Sequence, residues 1–336
     1  MADAFALAAA ARAATAPLPA DLDDSMLSAI GNTPLVDVSQ LLAGKGVASG
    51  VRLLAKLESM NPSGSVKDRI ALAMLLEARA SGALAPGQVV LEPTSGNTGI
   101  SLAMVGSLLG HKLRAVMPDN VTAERVQLLE LYGAQVIFSP GELGSNGAVR
   151  MAQELAAGDP TVFMPMQYEN DANPRAHYEG TAVELLEQTG GRIDVFVAGL
   201  GTGGTLMGVG RRLREHDATM QVVAAEPLPG DSVMGLRSLD DGYVPPILDP
   251  AKLDRRILVG NLDSVRAMRA LAAAGIFAGV SAGAALHVAV RVAREAGPGA
   301  TIVMLIADSG WKYLSAGLWT RELDELDTDM ESGHWW

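Results

Sequence analysis

The chain has 336 residues, 49% of them apolar, with a formal net charge of −12 and no cysteine. This length favours two α/β lobes with a cleft between them, and the acidic balance argues against a nucleic-acid partner, which would need clustered Lys and Arg. The composition excludes disulfides and cysteine-based sites, and no stretch approaches the roughly 20 apolar residues that cross a bilayer, so we expect a cytoplasmic protein.

The two ends differ from the rest of the chain in composition. Residues 1–25 are rich in alanine and carry Asp3 where a secretory signal would have basic residues, so we interpret them as a flexible extension. Residues 323–336 are highly charged and close on Trp335 and Trp336. We expect this segment to be a loosely attached tail.

Between these ends, short apolar runs alternate with longer helix-like segments, which is typical of parallel strands joined by crossover helices. The predicted strands are 53–57, 89–92, 113–117, 135–138, 195–198, 222–225 and 302–307. The predicted helices are 66–80, 100–109, 123–132, 182–188, 206–215, 265–274 and 284–296. In such a sheet, ligands bind beyond the carboxyl ends of the strands. The strand-to-helix loops are therefore where chemistry is expected.

The first such loop, residues 61–69, contains two serines and a glycine before Lys67 and leads into a predicted helix. The serines are candidate N-caps. Lys67 would lie in the first turn, where the helix dipole and burial both favour a neutral amine. A neutral lysine suits Schiff-base chemistry, although an ordinary surface lysine is the alternative.

The second loop, residues 93–99, concentrates hydroxyls, an amide and glycines at the beginning of a helix. Thr94, Ser95, Asn97 and Thr98 supply the polar groups. Backbone N–H groups at a helix N-terminus bind anions, and hydroxyls add donors to them. We expect the α-carboxylate of an amino acid to bind here, with a simple capping turn as the alternative.

The third loop, residues 199–205, is rich in glycine and precedes another helix, which predicts an anion site. Gly199, Gly201 and Gly204 also meet the G-x-G-x-x-G spacing of dinucleotide-binding folds, with Glu226 near the position of the ribose-binding acid. A dinucleotide site therefore stays open. The fourth loop, residues 279–283, contains Ser281, and by itself it favours a tight turn with a capping serine over a binding site.

These four segments, in this order, resemble the cysteine synthase family of fold-type II pyridoxal-phosphate enzymes. The likeness extends from Ile-Gly-Asn-Thr-Pro-Leu at 30–35 to Gly-Trp-Lys-Tyr-Leu at 310–314. It implies two α/β domains with open, twisted, mostly parallel sheets, the smaller at 55–163 and the larger, cofactor-binding one at 26–54 plus 164–322. It also implies a homodimer. Ser63 stands where the family usually has Thr, and it keeps the hydroxyl.

The resemblance also implies roles for individual residues. Lys67 would form the Schiff base with pyridoxal 5'-phosphate, Asn97 would bond the ring hydroxyl, and Ser281 would meet the ring nitrogen. A neutral Ser281 would make the ring a weaker electron sink than an aspartate would, which favours loss of a β-substituent over transamination. The phosphate would be held by Gly201, Thr202, Gly203, Gly204 and Thr205. The substrate carboxylate would be held by Thr94, Ser95, Thr98 and Gln167.

Local segments at 130–135, 224–227, 242–245 and 275–279 resemble the branch that uses O-phosphoserine and a thiocarboxylated sulfur-carrier protein. In that branch Arg237 would read the substrate phosphate, α-aminoacrylate would form, and the C-terminal tail would shield it. A surface arginine beside Asp240 is the alternative for Arg237.

Several other activities stay open at this point. They are O-acetylserine sulfhydrylase using free sulfide, cystathionine β-synthase, a serine or threonine dehydratase, and a catalytically silent cofactor-binding regulatory partner. An intact Lys67 and a complete set of carboxylate-binding residues argue against the last of these.

Overall fold

The structure is a computed structural model, and it describes residues 25–94, 96–231 and 233–331. The expected flexible extension, apart from Ser25, lies outside the described residues, as do Ser95, Trp335 and Trp336. Among the described helices, none is long and apolar enough to cross a membrane.

The strands of the described residues form two sheets. They are β1 (Leu35–Asp37), β2 (Arg52–Leu57), β3 (Val89–Pro93), β4 (Leu113–Pro118), β5 (Gln135–Ser139), β6 (Val162–Phe163), β7 (Val195–Gly199), β8 (Gln221–Pro227), β9 (Arg255–Val259) and β10 (Thr301–Ile306). The larger sheet has the order β1-β2-β10-β7-β8-β9, and the smaller has the order β5-β4-β3-β6.

All strand pairs in both sheets are parallel except β1 with β2. The centre of the larger sheet is β10, whose six residues are all buried. A strand that is covered on both faces consists of consecutive apolar residues, which is why this strand could be predicted from the sequence. The predicted fold class, two open and mostly parallel sheets flanked by helices, is confirmed.

Helices cover the sheets. The α-helices are α1 (Lys67–Ser81), α2 (Asn97–Leu108), α3 (Ala123–Leu131), α4 (Gly144–Gly158), α5 (Ala172–Ala176), α6 (Ala182–Thr189), α7 (Gly204–His216), α8 (Asn261–Ala273), α9 (Val280–Glu295) and α10 (Leu323–Glu331). A π-helical turn, His177–Thr181, joins α5 to α6. Short 3-10 helices are found at Met26–Ala29, Ser39–Leu42, Glu58–Met60, Gly141–Leu143, Leu239–Asp241, Pro250–Lys252 and Gly310–Ala316.

The seven predicted strands and seven predicted helices are all present, with ends shifted by a few residues. The sequence analysis missed β1, β6 and β9, and also α4, α5 and α10. Helix α4 begins Gly-Ser-Asn-Gly, which is a loop signal by composition. Strand β9 begins with two arginines, which hide its apolar alternation.

The expectation of a loose tail from residue 323 is wrong for its first part. Residues Leu323–Glu331 form α10, and Leu326 is completely buried. One apolar contact of this kind anchors an otherwise charged helix. Only the end of the predicted tail, residues 332–336, lies outside the described residues.

The division into domains remains a prediction. All four strands of the smaller sheet fall within the segment 55–163 that was assigned to the smaller domain. The expected boundary at residue 55 falls inside β2, which belongs to the larger sheet. We therefore propose that the smaller domain begins after residue 57.

Helix α7 packs unusually close to the segment that precedes α6. A Cβ atom added at Gly208 would lie 2.0 Å from the carbonyl oxygen of Pro174 and 2.8 Å from the Cβ of His177. Only glycine fits such an approach, because the obstacle is backbone rather than a flexible side chain. This contact sets the position of the glycine-rich loop that opens α7.

We expect Gly208→Ala to lower the free energy of unfolding by about 2 kcal/mol or more, because the helices must separate to admit the methyl group. The measurement is chemical denaturation followed by circular dichroism. Gly158→Ala is the matched control, since Gly158 lies in a helix with open space around it, and it should change stability by about 0.5 kcal/mol or less. Equal stability of the two variants would contradict the packing argument.

Candidate active site

Most of the predicted site residues that the structure describes lie around one cavity. Its volume is about 470 Å³, which is typical of a small-molecule site. It is lined by Lys67, Thr94, Asn97, Thr98, Gln167, Gly201, Thr202, Arg237 and Ser281. An adjoining cavity of about 40 Å³ shares Lys67, Gly201, Thr202 and Ser281 and adds Gly203 and Thr205. Gly204 lies directly behind, as the first residue of α7.

Lys67 is the first residue of α1 and lines both cavities. Burial lowers the pKa of its amine from the ordinary value, and the carboxylate of Asp308 opposes this shift. The serines that were predicted as N-caps of this helix do not occupy the N-cap position. The capping residue is Val66, while Ser65 Oγ accepts a long bond of 3.4 Å from the N–H of Lys67.

The loop before Lys67 is fastened by the buried carboxylate of Asp68. Asp68 accepts hydrogen bonds from the N–H of Ser63 at 2.7 Å and from Ser101 Oγ at 2.6 Å. The hydroxyl of Ser63 also donates to Asp68. The serine at this position therefore supplies the same kind of hydroxyl contact that a threonine would.

A buried ion-pair network lies behind the same loop. Arg69 pairs with Glu58 at 2.7 Å and with Glu184 at 2.6 Å, and Lys56 pairs with Glu184 at 2.6 Å. Glu58 and Glu184 have pKa values below their ordinary ones, since the neighbouring cations outweigh the effect of burial. Breaking one partner of such a network leaves a buried charge unpaired, which is costly.

The second loop is shaped by Thr94. Its Oγ1 accepts hydrogen bonds from the N–H of Gly96 at 3.2 Å and of Gly99 at 3.0 Å. A hydroxyl that accepts twice keeps its proton for donation. Thr98 Oγ1 donates to Gln167 Oε1 at 2.7 Å. Two of the four predicted carboxylate-binding residues are therefore in direct contact.

Gln167 owes its position to Glu92, which the sequence analysis missed. The carboxylate of Glu92 is fully buried and accepts hydrogen bonds from the N–H groups of Met166 at 2.9 Å and Gln167 at 3.0 Å. Met166 has a φ of 54°, a left-handed conformation that is uncommon outside glycine. The paired bonds to Glu92 hold this conformation.

The glycine-rich loop is held from behind by Asn173. A Cβ atom at Gly204 would lie 1.9 Å from Asn173 Oδ1, so glycine is required there. Asn173 Nδ2 donates to the carbonyl of Gln167 at 2.8 Å and contacts Thr202 Oγ1 at 3.1 Å. One amide therefore contacts both the glycine loop and the segment that carries Gln167.

The hydroxyl of Thr205 contacts a neutral histidine. His177 Nε2 lies 3.1 Å from Thr205 Oγ1, and His177 Nδ1 lies 3.0 Å from Thr181 Oγ1. Burial, with a smaller contribution from Arg69, lowers the pKa of His177 to about 3. The ring is therefore neutral at physiological pH and has one donor and one acceptor nitrogen.

Glu226 does not fit the dinucleotide alternative. Its carboxylate is almost completely buried and accepts a hydrogen bond from the N–H of Leu239 at 2.7 Å. It also pairs with Arg256 at 3.3 Å. These contacts give Glu226 a structural role, so a ribose-binding acid is not found where the G-x-G-x-x-G spacing predicts it.

Arg237 is held between two aromatic rings. Its guanidinium lies 5.4 Å from the ring centre of Tyr168 and 4.9 Å from that of Tyr243, and the two rings meet edge to face. No ion pair among the described side chains involves Arg237. Arg237 is partly buried and lines the cavity.

Asn97 and Ser281 complete the lining. Ser281 is the second residue of α9 and is largely buried. Asn97 is the first residue of α2, and its amide contacts Asp308 and Lys312. Neither Asp308 nor Lys312 was singled out from the sequence, since each is more than two hundred residues away from Asn97 in the chain.

Comparison with known proteins agrees with this geometry. Residues 26–308 match the family described as "Pyridoxal-phosphate dependent enzyme". A probable cysteine synthase of Bacillus subtilis (strain 168) is 43% identical over 302 residues, covering 87% of this chain and 96% of that protein. Cysteine synthase B of Escherichia coli (strain K12) is 42% identical over 294 residues, covering 87% and 95%. The crystal structure of an O-ureido-L-serine synthase superposes with a TM-score of 0.82 at 38% identity, covering 93% of this chain and 100% of that one.

The buried carboxylate of Glu92 predicts a pH dependence. Burial raises its pKa from the ordinary 4.5 to about 7, although the N–H groups of Gln167 and Met166 oppose the shift. The native protein thus binds a proton that the unfolded chain has already lost. Its stability should fall as the pH rises through about 7.

Glu92→Gln cannot ionise, so it should not lose this stability. We expect its free energy of unfolding, relative to the natural protein, to improve by about 2 kcal/mol between about pH 5 and about pH 8. Denaturant titrations at both pH values measure this difference, with the exposed Glu154→Gln as the control for removing one charge. A difference that does not change with pH would show that Glu92 stays ionised throughout.

Proposed function

Because the chain belongs to the family of pyridoxal-phosphate-dependent enzymes, we propose that it is a cysteine synthase that replaces the phosphate of O-phosphoserine with sulfur to give L-cysteine. The cofactor is pyridoxal 5'-phosphate. The observation that carries the choice of substrate is Arg237, a cationic residue that lines the cavity and has no carboxylate partner among the described side chains.

The residues of the site fit this cofactor. Gly203 has a φ of 89° and is followed by the N-terminus of α7, so the glycine loop presents backbone N–H groups where the helix dipole favours an anion. The 40 Å³ cavity lies between this loop, Lys67 and Ser281. When bound, pyridoxal phosphate withdraws electrons from the α-carbon of an amino acid and eases the loss of its α-proton and β-substituent.

We assign the cofactor contacts by chemistry. Lys67 would hold the cofactor covalently, and its lowered pKa favours the neutral amine that this bond requires. Asn97 and Ser281 would bond the ring hydroxyl and the ring nitrogen. The phosphate would lie on the glycine loop, which comprises Gly201, Thr202, Gly203, Gly204 and Thr205.

The substrate carboxylate would bind to the residues around the start of α2. Thr94 keeps a proton to donate, and Gln167 offers the Nε2 end of its amide, since its Oε1 accepts from Thr98. This places an amino acid in the cavity that Lys67 also lines. When its Nζ is free, Lys67 would be the base that accepts the proton from the substrate Cα.

Arg237 would then stabilise the leaving phosphate. A guanidinium can bind a phosphate through two parallel hydrogen bonds, which a lysine cannot reproduce. Tyr168 and Tyr243 restrict its orientation by stacking, so less side-chain entropy is lost when an anion binds. In a protein of net charge −12, such a local cation supports an anionic substrate.

The sulfur donor in this proposal is a thiocarboxylated carrier protein, which the segments at 130–135 and 242–245 support by resemblance. We also propose a homodimer on the same basis. The main alternative is an O-acetylserine sulfhydrylase that uses free sulfide. A silent regulatory subunit is less well supported, because Lys67 and the carboxylate-binding residues are present together in the cavity.

Reduction with borohydride should fix a pyridoxyl group on Lys67, detected by mass spectrometry of the digested protein, because a Schiff base becomes a stable amine. Addition of O-phosphoserine before the reduction should decrease the labelling. The exposed Lys252 serves as an internal control. Label at other lysines in place of Lys67 would remove the basis of the assignment.

Arg237→Ala should lower kcat/KM for O-phosphoserine by about a hundredfold and for O-acetylserine by less than about threefold, since only the first substrate carries a phosphate. Arg237→Lys should recover only part of the loss. The control is Arg266→Ala, which removes a surface arginine paired with Asp263. Equal losses with both substrates would leave the phosphate assignment without support.

A further inference from the structure

The segment 307–313 joins three of the four loops of the site. The N–H of Val66 donates to the carbonyl of Ala307 at 2.8 Å, and the N–H of Ser309 donates to the carbonyl of Gly64 at 3.1 Å. These bonds attach the segment to the loop of Lys67. The N–H of Gly279 donates to the carbonyl of Asp308 at 3.1 Å, which attaches it to the loop of Ser281.

Two side chains of the same segment form hydrogen bonds with Asn97. Asn97 Nδ2 donates to Asp308 Oδ2 at 2.7 Å, and Lys312 Nζ donates to Asn97 Oδ1 at 2.6 Å. Both ends of one amide are thus engaged by residues of opposite character. A carboxylate only accepts hydrogen bonds and an ammonium only donates them, so the amide has a single compatible orientation.

Lys312 is held firmly in this position. Its side chain is completely buried, and its Nζ also donates to the carbonyl of Gly64 at 3.3 Å and lies 5.3 Å from the ring centre of Trp311. Burial lowers its pKa to about 8, with Asp308 and Asp68 opposing. The amine therefore keeps its proton at neutral pH.

Asp308 is also fixed as an acceptor. The hydroxyl of Tyr313 donates to the same oxygen that accepts from Asn97. Its other oxygen is buried and has no hydrogen-bond partner among the described residues. Toward the Asn97 amide, Asp308 therefore acts as a hydrogen-bond acceptor.

We propose that Asp308 and Lys312 are positioning residues that orient the Asn97 amide, so that its second Nδ2–H is the donor offered to the ring oxygen of bound pyridoxal phosphate. The inference rests on the proposed function in taking Asn97 as a cofactor contact. The reversed amide would place its N–H groups against an ammonium and its oxygen against a carboxylate. Because that orientation lacks two charge-assisted hydrogen bonds, fewer than about one molecule in a hundred should adopt it.

On this inference, Lys312 affects the binding of the cofactor only through Asn97. A double-mutant cycle isolates such coupling. We would compare Lys312→Met, Asn97→Ala and the double variant, measuring the dissociation constant of pyridoxal phosphate by equilibrium dialysis of the loaded proteins. The visible absorbance of the bound cofactor across pH is a second readout.

Lys312→Met should raise the dissociation constant by about tenfold in the natural protein and by less than about twofold in the Asn97→Ala background. Asn97→Ala and Lys312→Met should also shift the pH dependence of the absorbance in the same direction. Lys312→Arg should restore most of the affinity, because a guanidinium likewise only donates. The same fold-change in both backgrounds would overturn the inference.

Thr122→Val is the matched control for loosening the segment. Thr122 Oγ1 donates to the carbonyl of Lys312 at 3.2 Å and forms no hydrogen bond with Asn97 among the described residues, so this variant should change the dissociation constant by less than about twofold. A tenfold change in this control would overturn the inference, since any loosening would then suffice. An unchanged dissociation constant in Asn97→Ala would overturn it too, whereas labelling of Lys67 in that variant would show that the proposed function stands.

Discussion

An amine can react with an aldehyde only when it is neutral, and the surroundings of Lys67 are arranged around that requirement. Burial disfavours its charge, while Asp308 supplies an opposing carboxylate. The cations behind the loop are already matched, since Arg69 lies between Glu58 and Glu184. This network fixes the backbone next to Lys67. The charge of Lys67 itself then depends on burial, which favours the neutral amine, and on Asp308, which favours the ammonium.

The parallel sheets bring the remaining groups to Lys67. Loops after β2, β7 and β10 lie at one edge of the larger sheet, because the carboxyl ends of its parallel strands share that edge. The loop after β3 of the smaller sheet lines the same cavity. The segment 307–313 then joins the loops of Lys67, Asn97 and Ser281 through backbone bonds and two charged side chains. The site is therefore built from several distant parts of the chain, and the segment 307–313 holds three of its loops together.

The sequence predicted what local patterns encode. Apolar runs revealed the central strands, and the glycine and hydroxyl clusters revealed the loops that carry Lys67, Asn97 and Ser281. It could not reveal Glu92, Asp308 or Lys312, because each acts on a partner that only the folded chain brings near. Helix α4 was missed for another reason, since its first residues are poor helix formers and its stability comes from packing against the smaller sheet.

Asn173 has one further consequence. Its single Nδ2 group contacts Thr202 of the glycine loop and the carbonyl of Gln167, so the two loops form one mechanical unit. A displacement of the Thr202 hydroxyl would therefore also shift the backbone that carries Gln167. Under the proposed function, binding of the cofactor phosphate at Thr202 and binding of the amino acid at Gln167 would therefore be coupled through Asn173.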